Sequence, residues 1–249
     1  MIDIHSHILP GIDDGADDAA ESLKICQLAA NLGTKAMIAT PHQRHPVWWN
    51  AEPRKLQVLI DRLKRQVGDT IDLLLGAEIR VDKGFMRDLE NFENSGLASL
   101  ARSDYLLLEF ERRNLSVDPL EVVQQVQEAG WRPIVAHPEF ISRITENPDL
   151  ATALVEAGAL LQVTATSLTG DFGPEAKGFA TSLLDAGLAH FVASDCHGHR
   201  RRPPGLKGAF SKIKAQWGLE YAQRLAIENP RAVVENRPVE PRPVDLVTV

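Results

Sequence analysis

The first fifteen residues, MIDIHSHILPGIDDG, bring together two histidines and several acids. Alternate side chains of a β-strand lie on the same face, so a strand here places Asp3, His5 and His7 side by side. The carboxylates of Asp13 and Asp14 follow a turn later. Imidazoles beside carboxylates are ligands that zinc, manganese and iron accept. The stretch therefore predicts a metal site, although a polar N-terminal strand without a function explains it equally well on its own.

Similar side chains recur farther along the chain, each at the end of an apolar run. The runs TKAMIAT, IDLLLGA, DYLLLEF, RPIVAH and HFVAS lead into TPH, GAE, LEF, AHP and SDCH. A lone histidine or glutamate in such a place is usually a helix cap or a satisfied polar residue, but a set of this size is not explained in that way. With Asp13 or Asp14 as a further carboxylate, the candidate metal ligands are His5, His7, His42, Glu78, Glu109, His137, Asp195 and His197.

The number and chemistry of these side chains predict which ions they bind. All are imidazoles or carboxylates, which suits zinc, manganese or iron and does not suit a structural cysteine-type zinc site. The set is too large for one ion, so we expect two or three divalent ions with a carboxylate such as Glu78 bridging them. Ions clustered in this way serve phosphoester hydrolysis, because they neutralise phosphate oxygens, lower the pKa of a bound water and stabilise the leaving oxygen.

The apolar runs themselves predict the strands that position these residues. With MIDI and GALLQVTA there are seven short runs rich in Leu, Ile, Val and Ala, which are typical of strands buried on both faces of a parallel sheet. Because they alternate with helical segments and no linker interrupts them, we expect an α/β fold with a single (β/α)7-type barrel. The catalytic face of such barrels is the C-terminal end of the strands. An open doubly wound sheet is the alternative, but it needs a Gly-rich phosphate turn after the first strand, and the sequence has none.

Helices are predicted between the strands from apolar spacing and from glycines that end them. The predicted helices span 17–32, 52–67, 118–129, 148–157 and 174–186. In the first of them the apolar positions at helical spacing are Ala20, Leu23, Leu28 and Leu32.

Composition excludes several classes of protein. The net charge of −7 over 249 residues argues against a nucleic-acid-binding surface. No apolar run approaches the roughly 20 residues that a membrane span needs, and the first residues do not resemble a secretory leader. Cys26 and Cys196 are too few for a disulfide framework, so we expect a cytoplasmic protein. We expect one domain over residues 1–235, followed by a Pro-rich tail over 236–249.

The ordered motifs HSH, TPH, GAE, LLLEF, AHPE and SDCH resemble those of the polymerase and histidinol phosphatase (PHP) superfamily. More closely, MIDIHSHILPGIDDG, ATPH, VTATSLTGDFG and SDCHGHRRRPP resemble the bacterial PHP-type protein-tyrosine phosphatases of capsular and exopolysaccharide gene clusters. The resemblance implies a distorted TIM-like barrel and a metal-dependent protein-tyrosine phosphatase that uses a metal-activated hydroxide and acts in exopolysaccharide biosynthesis. It implies manganese, iron or zinc as the metal, and phosphotyrosine proteins as partners, a bacterial tyrosine autokinase among them.

The same resemblance implies a trinuclear site. It assigns His5, His7, Glu78 and Asp195 to one ion, Glu78, Glu109 and His137 to a second, and Asp14, His42 and His197 to a third, with Asp13 as the weaker choice for that carboxylate. Arg202 matches an arginine of the family, so Arg202, Asp195 and His197 are the expected catalytic residues.

One position departs from the family pattern. The family has an arginine suited to phosphate where this chain has Phe140. Arg143, in the following turn, is the candidate to bind substrate in its place beside Arg202, and a surface arginine is the alternative explanation of Arg143. The departure leaves the affinity for the substrate and its identity undetermined, but it does not affect the predicted metal site.

Three other hypotheses compete with this one. Cys196 and Arg202 have the C-x5-R spacing of cysteine-dependent phosphatases, but Pro203 and Pro204 follow and lack the N–H donors that a phosphate loop needs. A phosphatase acting on a small molecule, such as histidinol phosphate or a sugar phosphate, is the alternative enzyme. A regulatory PHP domain without activity is the alternative from a different class.

Overall fold

The strands form as the apolar runs predict. A computed structural model of the chain describes residues 1–240. Two of the seven predicted strands are each broken into two pieces, which gives nine segments: β1 (Ile2–Ser6), β2 (Ala36–Ala39), β3 (His42–Gln43), β4 (Asp72–Leu75), β5 (Glu78–Arg80), β6 (Tyr105–Glu109), β7 (Arg132–Ala136), β8 (Leu160–Thr164) and β9 (Ala189–Ala193).

All strand pairs are parallel and follow chain order. One sheet has the order β1-β2-β4 and the other the order β3-β5-β6-β7-β8-β9. The breaks fall at Pro41, which cannot donate a ladder hydrogen bond, and at Gly76, where a Cβ would lie 2.9 Å from the Leu100 side chain. The Glu78 amide still donates to the Pro41 carbonyl at 3.2 Å. The broken strand β2–β3 therefore stays next to the broken strand β4–β5.

The residues that follow β9 lie against the C-terminal end of β1. Ser6 and Cys196 form an isolated parallel bridge. The Asp195 amide donates to the His5 carbonyl, and the His7 amide donates to the Cys196 carbonyl, both at 2.9 Å. The architecture is the predicted one, a distorted (β/α)7 barrel, and its distortion is concentrated at the end of the strands where the predicted ligands lie.

Helices surround the strands. The five predicted helices are present with ends within two residues of those expected. The helices are α1 (Ala19–Asn31), α2 (Pro53–Val67), α3 (Phe85–Glu90), α4 (Phe92–Ser95), α5 (Pro119–Glu128), α6 (Ser142–Glu146), α7 (Asp149–Glu156), α8 (Ala165–Thr169), α9 (Gly173–Asp185), α10 (Leu206–Trp217), α11 (Leu219–Gln223) and α12 (Asn229–Val234). Short 3-10 turns span Gly68–Thr70, Leu100–Arg102 and Pro138–Phe140, and a π-helical turn spans Arg224–Glu228.

The buried face of α1 differs from the apolar positions noted in the sequence. The helix buries Ser22, Ile25, Cys26 and Ala29, whereas Ala20 is exposed. Asp18 caps its N-terminus by accepting a hydrogen bond from the Glu21 amide at 2.8 Å. Its buried residues Ile25, Cys26 and Ala29 belong to one hydrophobic cluster with Met37 and Ala39 of β2.

The interior and the C-terminal residues are tightly joined. Inward-facing side chains such as Ile4, Leu107 and Phe191 fill the barrel below the site and are fully buried. The Tyr105 hydroxyl donates to the Arg237 carbonyl at 2.7 Å and accepts from the Val239 amide at 2.9 Å. The first residues of the predicted tail are therefore held on the barrel, while its remainder, 241–249, lies outside the described residues. Within residues 1–240 no helix is both long and apolar enough to cross a membrane.

Candidate metal centre

The ends of the strands bring the predicted ligands together. His5, His42, Glu78 and Glu109 lie on β1, β3, β5 and β6, and the other predicted ligands lie in the loops that follow β1, β7 and β9. The backbone turns sharply at two of these loop residues, His137 (φ 33°) and Asp195 (φ 49°), which are left-handed although neither is glycine. Most of the ligands line a cavity of about 570 Å³, and His5 and His7 lie fully buried at its base.

Glu78 is at the centre of the cluster. Its Oε2 lies 3.4 Å from His5 Nε2, 3.3 Å from His7 Nε2 and 3.0 Å from His42 Nδ1. Its Oε1 lies 2.7 Å from His137 Nε2. One carboxylate therefore contacts four imidazoles that come from the ends of three strands, β1, β3 and β7, which is the geometry of a bridging ligand.

Asp195 is a second carboxylate that contacts the two N-terminal histidines. Its Oδ1 is 3.4 Å from His5 Nε2 and 3.5 Å from His7 Nε2. The two Nε2 atoms are only 3.2 Å apart. The Nδ1 of His5 donates instead to Gln162 Oε1 at 2.7 Å. Gln162, which the sequence did not single out, thereby fixes the ring so that Nε2 points into the cluster, as partners of metal-bound histidines commonly do.

The two neighbouring acids after β1 have different roles. Asp14 Oδ1 lies 3.3 Å from Nε2 of both His42 and His197, at the mouth of the cavity. Asp13 Oδ2 accepts from His7 Nδ1 at 2.9 Å and from the His42 amide at 3.2 Å, so it orients His7. The turn needs Gly15, because a Cβ there would lie 2.2 Å from the His7 carbonyl oxygen.

Burial and neighbouring charges move the pKa values of the cluster in opposite directions. Burial lowers the pKa of His5, but the carboxylates of Glu78 and Asp195 outweigh it and raise that pKa to about 9. Burial is likewise outweighed at His42, where Glu78 is the largest opposing charge, and its pKa rises to about 11. The pKa of Glu78 lies well below its ordinary value despite burial, because His5 and His42 favour its charged form. Without metal, protons therefore sit on these imidazoles, and bound cations would displace them.

The donor set fits several divalent ions. Glu109 Oε2 is buried and forms no hydrogen bond, and it lies 3.7 Å from His42 Nδ1, so a cation between these two atoms would satisfy it. Four sets of ligand atoms each lie within 4.8 Å of one another. These sets are His7, Asp14, His42 and His197; His5, His137 and Asp195; His5, His7 and Glu78; and His42, Glu78 and Glu109.

The structure brings only one of the two predicted substrate arginines to the cavity. Arg202 lines it and forms an ion pair with Asp195. Arg143 is half-exposed and pairs with Asp118 Oδ2 at 2.6 Å, outside the cavity. The sequence missed Arg80, Arg112 and Arg113, which line the cavity. Only the RR following LLLEF could have indicated the last two.

Two further residues bear on the chemistry of the cavity. Trp48 lines the cavity and stacks on His42, with ring centroids 5.5 Å apart and planes inclined by 11°. Cys196 is fully buried and does not line the cavity, and burial raises the pKa of its thiol well above the ordinary value. A buried thiol of that kind is a poor nucleophile, which removes the support for a cysteine-dependent mechanism.

A parallel barrel with a buried cluster of histidines and carboxylates at its C-terminal end defines a class, that of metal-dependent barrel proteins. Within that class, the family described as capsular polysaccharide synthesis, CpsB/CapC, matches residues 1–235. The chain belongs to this family, and the relationship predicted from its motifs is confirmed.

The relatives agree with this assignment. The chain is 38% identical over 250 residues to the tyrosine-protein phosphatase YwqE of Bacillus subtilis, covering 98% of this chain and 96% of YwqE. It matches a crystal structure from work on YwqE and on CpsB of Streptococcus pneumoniae, described as unique metal-dependent tyrosine phosphatases, with a TM-score of 0.91, 35% identity and full coverage of both chains. A histidinol phosphate phosphatase of Lactococcus lactis shares the fold, with a TM-score of 0.62, 14% identity, and coverage of 91% of this chain and 96% of that one.

Proposed function

We propose that the protein is a metal-dependent tyrosine-protein phosphatase, a phosphoric monoester hydrolase. The observation that carries the proposal is the Glu78 carboxylate, which contacts four histidines at the base of an open cavity. Relatives of this family are named tyrosine-protein phosphatases, which supports phosphotyrosine as the substrate.

Each ligand has a proposed place. His5, His7, Glu78 and Asp195 would hold one ion, Glu78, Glu109 and His137 a second, and Asp14, His42 and His197 a third. When bound, two or three divalent ions supply positive charge for the phosphate oxygens and lower the pKa of a water molecule.

The side chains around the ions bind and orient the substrate. Arg202 lines the cavity, and its guanidinium can donate to a phosphate oxygen while Asp195 holds it in place. His197 is suited to act as a neutral ligand, because burial and the neighbouring His7 lower its pKa to about 4. The indole of Trp48 forms a flat wall at the mouth, where an aryl ring of the substrate can stack.

The finer assignments are part of the same proposal. We propose manganese, iron or zinc as the metal, a role in exopolysaccharide biosynthesis, and phosphotyrosine proteins such as a bacterial tyrosine autokinase as the substrates. We place the protein in the cytoplasm, because Cys26 and Cys196 are both buried and unbridged, as is usual in a reducing compartment. We further propose one phosphatase domain over 1–235 with 236–249 as an appended tail.

Metal analysis paired with substrate assays tests the function. Protein purified without added metal should contain two or three divalent ions per chain and hydrolyse phosphotyrosine peptides more efficiently than histidinol phosphate or sugar phosphates. A chelator should abolish the activity. Asp14→Asn should lose one ion and most of the activity, whereas Asp17→Asn, an exposed acid of the same loop, serves as the control and should keep both. Chelator-resistant hydrolysis, or a preference for the small substrates, would contradict the proposal.

A further inference from the structure

Four arginines line the cavity, and they differ in whether an acid neutralises them. Arg80 pairs with Glu109 at 3.1 Å, and Arg202 pairs with Asp195. Arg112 and Arg113 form no ion pair with any residue of the described part of the chain. A cavity-lining guanidinium without an acidic partner is available to an anionic ligand, whereas a paired one must share its hydrogen bonds.

Arg112 is also held in place. Its guanidinium lies over the Phe140 ring, 5.2 Å from the centroid, which is cation–π geometry. The Ser142 amide donates to the Arg112 carbonyl at 2.9 Å, so the backbone of this loop is tied to α6. Within residues 1–240, Arg113 makes no such ring contact. Of the two unpaired arginines, Arg112 is therefore the one with a defined position.

The guanidinium of Arg112 lies near the cluster of predicted metal ligands. The Phe140 ring is 5.6 Å from the ring of His137, whose Nε2 contacts Glu78. Phe140 also packs edge-to-face on Phe172 at 4.9 Å, and the guanidinium of Arg202 lies 5.7 Å from the Phe172 centroid. The adjoining rings of Phe140 and Phe172 thus each contact one guanidinium, that of Arg112 or that of Arg202.

We propose that Arg112 binds a phosphate oxygen of the substrate, and that Phe140 is the positioning residue that holds the guanidinium over the cavity. The inference rests on the proposed function, because it deepens that function by naming a second phosphate-binding side chain beside Arg202. A phosphate dianion that already contacts Arg202 receives from Arg112 a positive charge that forms no ion pair with a carboxylate of residues 1–240.

Substitution of Arg112 tests the inference. Arg112→Ala should lower kcat/KM for both a phosphotyrosine peptide and 4-nitrophenyl phosphate by roughly 10- to 100-fold, and weaken inhibition by inorganic phosphate by at least tenfold, as expected for one lost charge-assisted hydrogen bond. Metal content should not change. Arg112→Lys should recover part of the loss, and Phe140→Leu, which keeps apolar volume but removes the ring, should raise KM with little effect on kcat.

The control is Arg132→Ala. Arg132 also lies over an aromatic ring, 5.2 Å from the centroid of Tyr105, but at the first residue of β7 and so at the opposite end of the barrel. It should leave kcat/KM and phosphate inhibition within about twofold of wild type.

The outcomes separate this inference from the proposed function. Normal phosphate inhibition and normal kcat/KM in Arg112→Ala would overturn the inference while leaving the phosphatase assignment intact. A loss confined to the peptide, with 4-nitrophenyl phosphate unaffected, would also overturn it, because Arg112 would then contact the peptide and not the phosphate. If the wild-type enzyme prefers small phosphoesters, weaker phosphate binding by Arg112→Ala still supports the inference although the tyrosine-phosphatase assignment fails. If the wild type neither hydrolyses phosphoesters nor binds phosphate by calorimetry, both fail.

Discussion

Glu78→Gln is the substitution for which the structure gives the sharpest expectation. The variant keeps the size of the side chain and its hydrogen-bonding oxygen, but removes the negative charge that His5, His7, His42 and His137 share. Because Glu78 is assigned to two ions, we expect the loss of at least one ion per chain. The loss of kcat/KM should reach about 10³-fold, since a catalytic ion contributes several kcal/mol of transition-state stabilisation.

The stability of the metal-free protein also depends on the negative charge of Glu78. The folded-state pKa of His5 is about 9, above the ordinary value of 6.5. The stability that this proton provides is complete below pH 6.5 and is lost as the pH rises through 9. The difference corresponds to on the order of 3 kcal/mol. The metal-free wild type should therefore become less stable between pH 6.5 and 9, and His42 acts in the same direction. Glu78 raises the pKa of His5 more than Asp195 does, so Glu78→Gln should remove much of this pH dependence.

Denaturant unfolding of the chelated protein at several pH values measures the pH dependence of its stability. Metal analysis and steady-state kinetics measure the loss of ions and of kcat/KM. The control is Glu139→Gln. Glu139 is also buried, but its Oε1 accepts from the Thr164 amide and the Ser167 hydroxyl, both at 2.8 Å, and it belongs to none of the four ligand sets. A Glu78→Gln enzyme with full metal content and kcat/KM within a few-fold of wild type would refute the reasoning.

Three further predictions test other parts of the site. Cys196→Ser should leave hydrolysis nearly unchanged while a chelator abolishes it, because the thiol is buried; an enzyme that is killed by this substitution yet resists chelators would contradict the assignment. Arg202→Ala should reduce kcat/KM by about 10²-fold with metal content unchanged, as expected for a lost charged partner of the phosphate. Gly15→Ala should displace the loop that carries Asp14, because the added Cβ meets the His7 carbonyl. We expect about 1–3 kcal/mol of lost stability in thermal unfolding and the loss of an ion by metal analysis; an unchanged variant would show that the turn is adaptable.

The strands and the ligand positions could be predicted because each rests on a local signal. A buried parallel strand is a continuous apolar run, and a polar residue at its C-terminal end stands out against that run. Parallel strands then bring these ends to one face of the barrel without any further information. His42, Glu78 and His137 are adjacent in the fold for this reason, although 36 and 59 positions separate Glu78 from the other two.

The remaining features depend on contacts between distant segments, which leave no local signal. Gln162 lies within the run GALLQVTA, and only its contact with His5 gives it a role. Gly76, at the break in the strand before Glu78, has no room for a side chain because Leu100 comes close to it. The buried face of α1 is set by the segments that pack against it, such as Met37 and Ala39 of β2. None of these can be derived from the spacing of residues along the chain.

Phe140 illustrates how such a contact changes the interpretation of a motif. From the sequence it is a missing charge, since an aromatic residue stands where the family has an arginine. In the fold its ring lies 5.6 Å from the ring of His137 and 5.2 Å from the guanidinium of Arg112, so the position still affects the charge near the predicted ligands. On the proposal above, the guanidinium comes from the loop after β6 and the ring keeps it over the cavity. Phe140 then positions Arg112, which replaces the family's arginine from a different loop. Substituting Phe140 should therefore affect phosphate binding only when Arg112 is present.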